Sequence, residues 1–109
     1  MKVDRIEKYH NGWFVGNFEP ALINSKDFEI GYKQHKKGEQ YEKHYHKETI
    51  EVNLLVKGKM IIQNKELRTG DIFIIYPYEI SDPVFLEDCE VMIVRYPSVP
   101  KDKFIIKDV

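Results

Sequence analysis

Two histidines and a glutamate lie close together near the middle of the chain. His44 and His46 are separated by one residue, and Glu51 follows five positions after His46. Imidazole nitrogens and carboxylate oxygens are donors that Fe, Mn, Ni and Zn ions accept in proteins. The three side chains are therefore candidate ligands of one divalent transition metal ion.

The element that positions the two histidines is a short strand. Side chains alternate between the two faces of a strand, so His44 and His46 share one face. Glu51 stands at an odd offset from His46, which puts it on the wrong face of one continuous strand. We therefore expect the chain to bend or bulge within residues 47–50. Asn53 then shares the inward face of Glu51 and is a candidate pocket residue.

The rest of the chain also predicts short strands. Segments rich in β-branched and aromatic residues alternate with turns that contain glycine, proline or asparagine. This pattern predicts an antiparallel sandwich or small barrel. A short helical turn is expected at residues 20–24. The expected strands cover residues 12–18, 28–35, 42–46, 50–56, 59–63, 71–76 and 89–96.

Composition limits the classes of function. A chain of 109 residues predicts one domain, 1–109, and a hydrophobic content of 42% is typical of globular proteins. The 17 basic and 18 acidic residues are interspersed, which argues against nucleic-acid and membrane partners. The N-terminus lacks the apolar core of a secretory signal, and the one cysteine, Cys89, fits a reducing compartment. We expect a cytoplasmic protein.

The spacing of the central residues resembles the cupin superfamily. Five residues are separated by five, one, four and six intervening residues, as in the first cupin motif: Gly38, His44, His46, Glu51 and Gly58. Residues 70–77, a glycine and an aspartate followed by an apolar strand and a proline, resemble the second motif. The resemblance covers about residues 28–96. It implies a small single-domain cupin, an all-β, antiparallel double-sheet jelly-roll barrel with its ligand at the mouth.

The resemblance also implies that the two histidines and Glu51 hold the metal ion. The second cupin motif usually supplies a further histidine ligand, but Ser81 occupies that position here. Three alternatives remain open. The three ligands leave open positions for water or substrate, or His35 or Asp82 completes the set, or the metal is lost and the pocket binds its ligand through hydrogen bonds alone.

Several further residues are candidate substrate contacts. Amide, phenol, hydroxyl and imidazole groups can each hydrogen-bond to a polar ligand. No feature of the sequence assigns a general acid or base, so the catalytic residues are unknown, and Glu48 competes with Glu51 as the nearby carboxylate. The candidate contacts are Asn53, Tyr32, Tyr41, Ser81 and His35.

Two functions follow from the resemblance. The first is a metal-dependent cupin enzyme, an isomerase, lyase or dioxygenase, that acts on a small oxygen-rich substrate such as a sugar, a sugar acid or another carboxylate. The second is a noncatalytic cupin that binds a small ligand and has a degenerate or structural metal site, which Ser81 favours. Residues 72–75 and 91–94 are apolar on both faces of their strands, which predicts a homodimer.

Overall fold

The structure, a computed structural model, describes residues 1–107, and these residues form eleven β-strands. Two short 3₁₀ turns, Ile6–Lys8 and His10–Gly12, precede the first strand. The strands are β1 (Trp13–Gly16), β2 (Ile23–Asn24), β3 (Glu29–His35), β4 (His44–Tyr45), β5 (Ile50–Lys57), β6 (Lys59–Ile62), β7 (Lys65–Arg68), β8 (Ile72–Ile75), β9 (Val84–Phe85), β10 (Cys89–Tyr96) and β11 (Phe104–Ile105).

The strands form one large sheet and two small ones. The large sheet has the order β2-β1-β3-β10-β5-β8, and the small sheets have the orders β7-β6-β9 and β11-β4. The pairing of β1 with β2 is parallel, whereas the other strand pairs of residues 1–107 are antiparallel. The histidine strand β4 and the glutamate strand β5 therefore belong to different sheets.

The hydrophobic core lies between the inward faces of the large sheet and the β7-β6-β9 sheet. It contains residues of five strands, so burial of apolar surface holds the two sheets together. The buried members of the core are Leu55, Met60, Ile62, Ile75, Phe85, Cys89, Val91 and Ile93.

Strand β5 has an unusual distribution of polar and apolar residues. Its inward positions include the buried polar residues Glu51 and Asn53, whereas Val52 and Leu54 point outward and are exposed. A strand of an isolated small domain normally buries its apolar side chains and exposes its polar ones. The reversed pattern indicates that the inward face of β5 forms a polar site.

Two tight turns connect the strands around the core. Gly58 joins β5 to β6 at a φ of 109°, and a Cβ atom there would lie 2.5 Å from the backbone oxygen of Asp88. Only glycine fits this position without a shift of the neighbouring backbone. Gln63 and Asn64 join β6 to β7 with φ of 49° and 62°, the left-handed pair that a two-residue hairpin requires.

Most of the strands expected from the sequence are confirmed, within a few residues at each end. The helical turn expected at residues 20–24 is wrong. Residues 20–22 form bends and irregular backbone, and only Ile23–Asn24 form a strand, β2, beside β1. On either side of β2, Leu22 N–H donates to the carbonyl of Phe14 and Ser25 N–H donates to that of Gly16. Within residues 1–107, no helix has both the length and the apolar character needed to cross a membrane. The cytoplasmic location stays a prediction.

Candidate functional site

A group of charged side chains lies on the inward face of the large sheet. Arg95 on β10 stands opposite Glu51 on one neighbouring strand and opposite Glu29 on the other. Its Nε donates to Glu51 Oε1 over 2.8 Å, and its Nη1 donates to Glu29 Oε1 over 3.3 Å. Because all three side chains are largely buried, these ion pairs are shielded from water and from salt. The guanidinium lies 4.4 Å from the ring centroid of Trp13.

The Glu51 carboxylate is held by a second donor. The Asn53 amide donates to its other oxygen, Oε2, over 3.1 Å. Burial on its own raises the pKa of Glu51, but the charge and hydrogen bond of Arg95, together with Asn53, lower the pKa below its ordinary value. Glu51 is therefore an anion at neutral pH, although it is buried.

His44 has a defined tautomer. Its Nδ1 lies 3.0 Å from the backbone oxygen of Glu42, and because a carbonyl oxygen can only accept, Nδ1 carries the hydrogen. This leaves Nε2 with the free electron pair, the arrangement in which a histidine serves as a metal ligand. Burial lowers the pKa of His44, so the ring is neutral at pH 7.

His46 lies beside His44 and has an unsatisfied nitrogen. Its Nε2 is buried and makes no hydrogen bond within residues 1–107. Burial, followed by the nearby charge of Arg95, lowers the pKa of His46 to about 4. The centroids of the two imidazole rings are 5.1 Å apart, and the planes are nearly perpendicular. The shared face of the two histidines, predicted from their spacing, is confirmed.

Asp102 holds the loop that joins the histidine strand to β5. Its carboxylate accepts hydrogen bonds from three successive backbone N–H groups, those of Lys47, Glu48 and Thr49, over 2.9 to 3.0 Å. Burial raises the pKa of Asp102, but the three donors outweigh it and lower the pKa overall. This loop is the bend that the sequence predicted, and it turns Glu51 toward the side of the histidines.

Two cavities border this group of residues. The inner cavity has a volume of about 50 Å³ and is lined by His44, Glu51 and Asn53, together with core residues. The outer cavity has a volume of about 350 Å³ and is lined by His46 and Thr49, among others. Arg95 and Trp13 line both cavities. These two side chains therefore lie at the boundary between the two cavities.

The candidate substrate contacts lie in different places. Asn53, Tyr41, Ser81 and His35 line the inner cavity. Ser81 is buried and exchanges two backbone hydrogen bonds with the histidine strand. The ring of His35 stacks on Phe85, and its Nδ1 lies 2.6 Å from a Glu39 oxygen.

Tyr32 lines neither of these cavities, because it lies on the opposite face of β3, where its hydroxyl donates to Glu90. Tyr32 is therefore not part of the site. Glu48 is exposed. The Asp82 carboxylate accepts from the backbone of Gln63, outside both cavities.

The two histidines fit a transition metal ion. Both rings are neutral at pH 7, and Nε2 of His46 is buried without a partner in the described chain. Glu51 is anionic, but both of its oxygens already accept hydrogen bonds. Among residues 1–107, no three histidine, cysteine, aspartate or glutamate side chains converge closely enough to form a ligand set. Joint ligation by His44, His46 and Glu51 stays a prediction.

No protein-family model matches the sequence, and no curated protein is similar to it. The fold, however, is similar to solved structures. A double-stranded β-helix protein from Klebsiella pneumoniae has a TM-score of 0.69 at 13% identity and covers 99% of both chains. A cupin-2 domain protein from Shewanella frigidimarina has a TM-score of 0.54 at 20% identity over 64% of this chain and 71% of its own. The chain has a cupin fold.

The solved structures with a similar fold include an enzyme. The DMSP lyase DddQ from Ruegeria pomeroyi has a TM-score of 0.65 at 13% identity, over 82% of this chain and 46% of its own. Identities this low establish the shared fold, and the fold by itself does not select a reaction.

Sequence reasoning missed two residues of this site, Arg95 and Asp102. Arg95 belongs to a strand that was predicted, and its odd-numbered position places it in phase with the buried residues Val91 and Ile93. This alternation along the strand could have marked Arg95 as an inward-facing residue. Asp102 lies more than fifty positions from the loop it holds, and no local pattern marks such a contact.

Proposed function

We propose that this protein is a metal-dependent cupin enzyme that acts on a small oxygen-rich molecule, such as a sugar, a sugar acid or another carboxylate. The observation that carries the proposal is the pair of buried, neutral imidazoles of His44 and His46. Buried nitrogens without partners are costly, and a metal ion would satisfy the Nε2 atom of His46. The anionic Glu51 supplies negative charge nearby.

In this proposal His44, His46 and Glu51 hold the ion, which is Fe, Mn, Ni or Zn. When bound, such an ion supplies Lewis-acid chemistry that polarises a carbonyl or carboxylate oxygen of the substrate. The side chain of Tyr41 lies near His44, with ring centroids 5.6 Å apart. Burial raises the pKa of Tyr41, so its phenol keeps its proton at neutral pH and can donate it in a hydrogen bond.

The volumes of the cavities favour the outer one as the substrate compartment. The inner cavity, at about 50 Å³, has room for a few water molecules only. The outer cavity, at about 350 Å³, is within the usual range of small-molecule sites. It brings a ligand next to His46, Arg95 and the buried Thr49 hydroxyl, which has no hydrogen-bond partner among the described residues. A hydroxyl or carboxylate of the substrate would satisfy that group.

The test is elemental analysis of the native, tag-free protein beside a variant with both His44→Ala and His46→Ala. We expect about one equivalent of a transition metal in the native protein and none in the variant. The matched control is His10→Ala, because His10 is exposed and its removal should leave the metal content unchanged. Retention of a full equivalent by the folded double variant refutes the proposed site.

A second candidate is a noncatalytic cupin that binds a small ligand. The observation that favours it is the engagement of Glu51 by Arg95 and Asn53, which places a hydrogen bond on each carboxylate oxygen. In this case the pocket binds through hydrogen bonds. Absence of metal, even after reconstitution with Fe(II), Mn, Ni and Zn, selects this candidate over the enzyme. For the enzyme, lyase assays come first, because a lyase is among the proteins of similar structure.

We also propose that the outward face of the large sheet pairs two copies of the chain. Val52, Leu54, Ile72, Ile74 and Val94 lie on neighbouring strands of this face and are exposed. In the sheet, Val52 is paired with both Ile74 and Val94, so the exposed side chains form one continuous apolar surface. A surface of this kind on a small protein marks an interaction site. A second copy offers the same apolar surface and can cover it by two-fold symmetry.

A further inference from the structure

The feature that carries a further inference is the position of Arg95 between two carboxylates. The strand register puts Arg95 directly across from Glu51 on β5 and from Glu29 on β3. Its side chain is 16% exposed, and those of the two glutamates are 7% and 10% exposed. The guanidinium is always charged at physiological pH. The site therefore contains a fixed cation before any metal ion binds.

Several contacts hold the guanidinium in this place. Its Nε donates to Glu51, its Nη1 donates to Glu29, and its plane lies over the ring of Trp13. The Ser98 hydroxyl donates to the other oxygen of Glu29 over 2.9 Å, which holds that carboxylate in place. Arg95 would keep a buried partner in Glu29 even if its bond to Glu51 were broken.

A metal ion at the two histidines would need the same carboxylate. The Glu51 oxygen Oε1 accepts from Arg95, and Oε2 accepts from Asn53. An ion bound to Glu51 would also place two more positive charges within a few ångströms of the guanidinium. Like charges repel strongly in a buried site, where water screens them poorly. Arg95 and the metal ion therefore compete for the Glu51 carboxylate.

We propose that Arg95 competes with metal ions for the Glu51 carboxylate. In the metal-free state the guanidinium neutralises Glu51. In the metal-loaded state it bonds to Glu29 alone, and Glu51 turns to the ion held by His44 and His46. The inference rests on the proposed function for the place of the metal, and it adds that Arg95 weakens metal binding.

The first test measures zinc binding by isothermal titration calorimetry in the native protein and in Arg95→Met. Methionine keeps most of the side-chain length without the charge, so we expect zinc to bind at least tenfold more tightly. Arg68→Met is the matched control, because Arg68 is exposed. This variant should bind zinc with the same affinity as the native protein. Adding His44→Ala and His46→Ala to Arg95→Met should abolish the gain. Equal or weaker zinc binding by Arg95→Met overturns the proposal.

The second test needs no variant of the site. Of the three arginines in the chain, Arg95 is the one that is not exposed, and its Nε donates to a buried carboxylate, so its Nε–H should exchange slowly with water in nuclear magnetic resonance spectra. One equivalent of zinc should shift this resonance and speed its exchange, because the bond to Glu51 breaks. An Nε–H signal that zinc leaves unchanged, in protein shown to have bound it, overturns the proposal.

The outcomes separate this inference from the proposed function. If the native protein binds no metal and Arg95→Met binds zinc, the competition stands and the proposed enzyme fails. If both proteins bind zinc equally, the metal site stands and the competition fails. If neither protein binds zinc, both fail.

Discussion

The loop between the histidines and Glu51 is held by the carboxylate of Asp102, and we predict that removal of this carboxylate destabilises the protein. Asp102→Ala deletes the acceptor of three backbone hydrogen bonds. The N–H groups of Lys47 and Glu48 belong to exposed residues and can turn to water, but Thr49 is almost fully buried. Its N–H would stay without a partner.

The expected loss follows from these contacts. A hydrogen bond to a charged group contributes about 1.5 to 3 kcal/mol, and a buried donor left unpaired costs about 1 to 3 kcal/mol. Since two of the donors regain water, we expect Asp102→Ala to lower the free energy of unfolding by about 3 kcal/mol. Asp102→Asn keeps one neutral oxygen acceptor and should lose about half as much. The control Asp88→Ala removes one exposed bond, to Lys37 N–H, and should lose less than about 1 kcal/mol.

The assay is urea unfolding followed by circular dichroism. With a slope of about 1.5 kcal/mol per molar urea, a loss of about 3 kcal/mol lowers the midpoint by about 2 M. The pKa of Asp102 is lower in the folded protein than in the unfolded chain, so its contribution is present above the unfolded pKa and disappears as the pH falls through the folded one. The difference between native protein and Asp102→Asn should therefore shrink in acid. A loss below about 1 kcal/mol for Asp102→Ala at pH 7 contradicts this account of the loop.

Three further predictions concern other parts of the molecule. In the same urea assay, Gly58→Ala should lower the free energy of unfolding by about 2 to 4 kcal/mol. The control Gly38→Ala should lower it by about 1 kcal/mol, because the space around Gly38 is open. Equal losses would contradict the steric argument. Leu54→Lys should convert a dimer to a monomer in light scattering. The control Val84→Lys should leave the dimer intact, because Val84 is an exposed residue of another sheet. A monomeric native protein refutes the proposed pairing. Ser81→His should tighten zinc binding about tenfold by adding a ligand, and unchanged affinity in titration calorimetry means that position 81 does not face the ion.

The sequence predicted the parts of the fold that depend on local patterns. The strand alternation placed Glu51 and Asn53 on one inward face, and the odd offset from His46 required the bend that Asp102 now explains. Short strands such as β9 and β11 were missed, because two residues carry no period that can be recognised.

The charges around the site were harder to predict. The role of Arg95 depends on which residues stand across from it on β3 and β5, and strand register is a property of the folded sheet. The helical turn at residues 20–24 failed for a similar reason. The edge of β1 offers hydrogen-bond partners to this segment, and those partners outweigh its weak local preference for a turn.

The support of the site by residues late in the chain has a consequence for protein synthesis. Asp102 fixes the loop after His46, and β11 pairs with the histidine strand β4. A ribosome adds about 5 to 20 residues per second, so His44 and His46 exist for several seconds before their supports have been made. The large sheet also needs β10 before Arg95 can meet Glu51. The geometry of the site is therefore completed only after residues 95–105 have been synthesised.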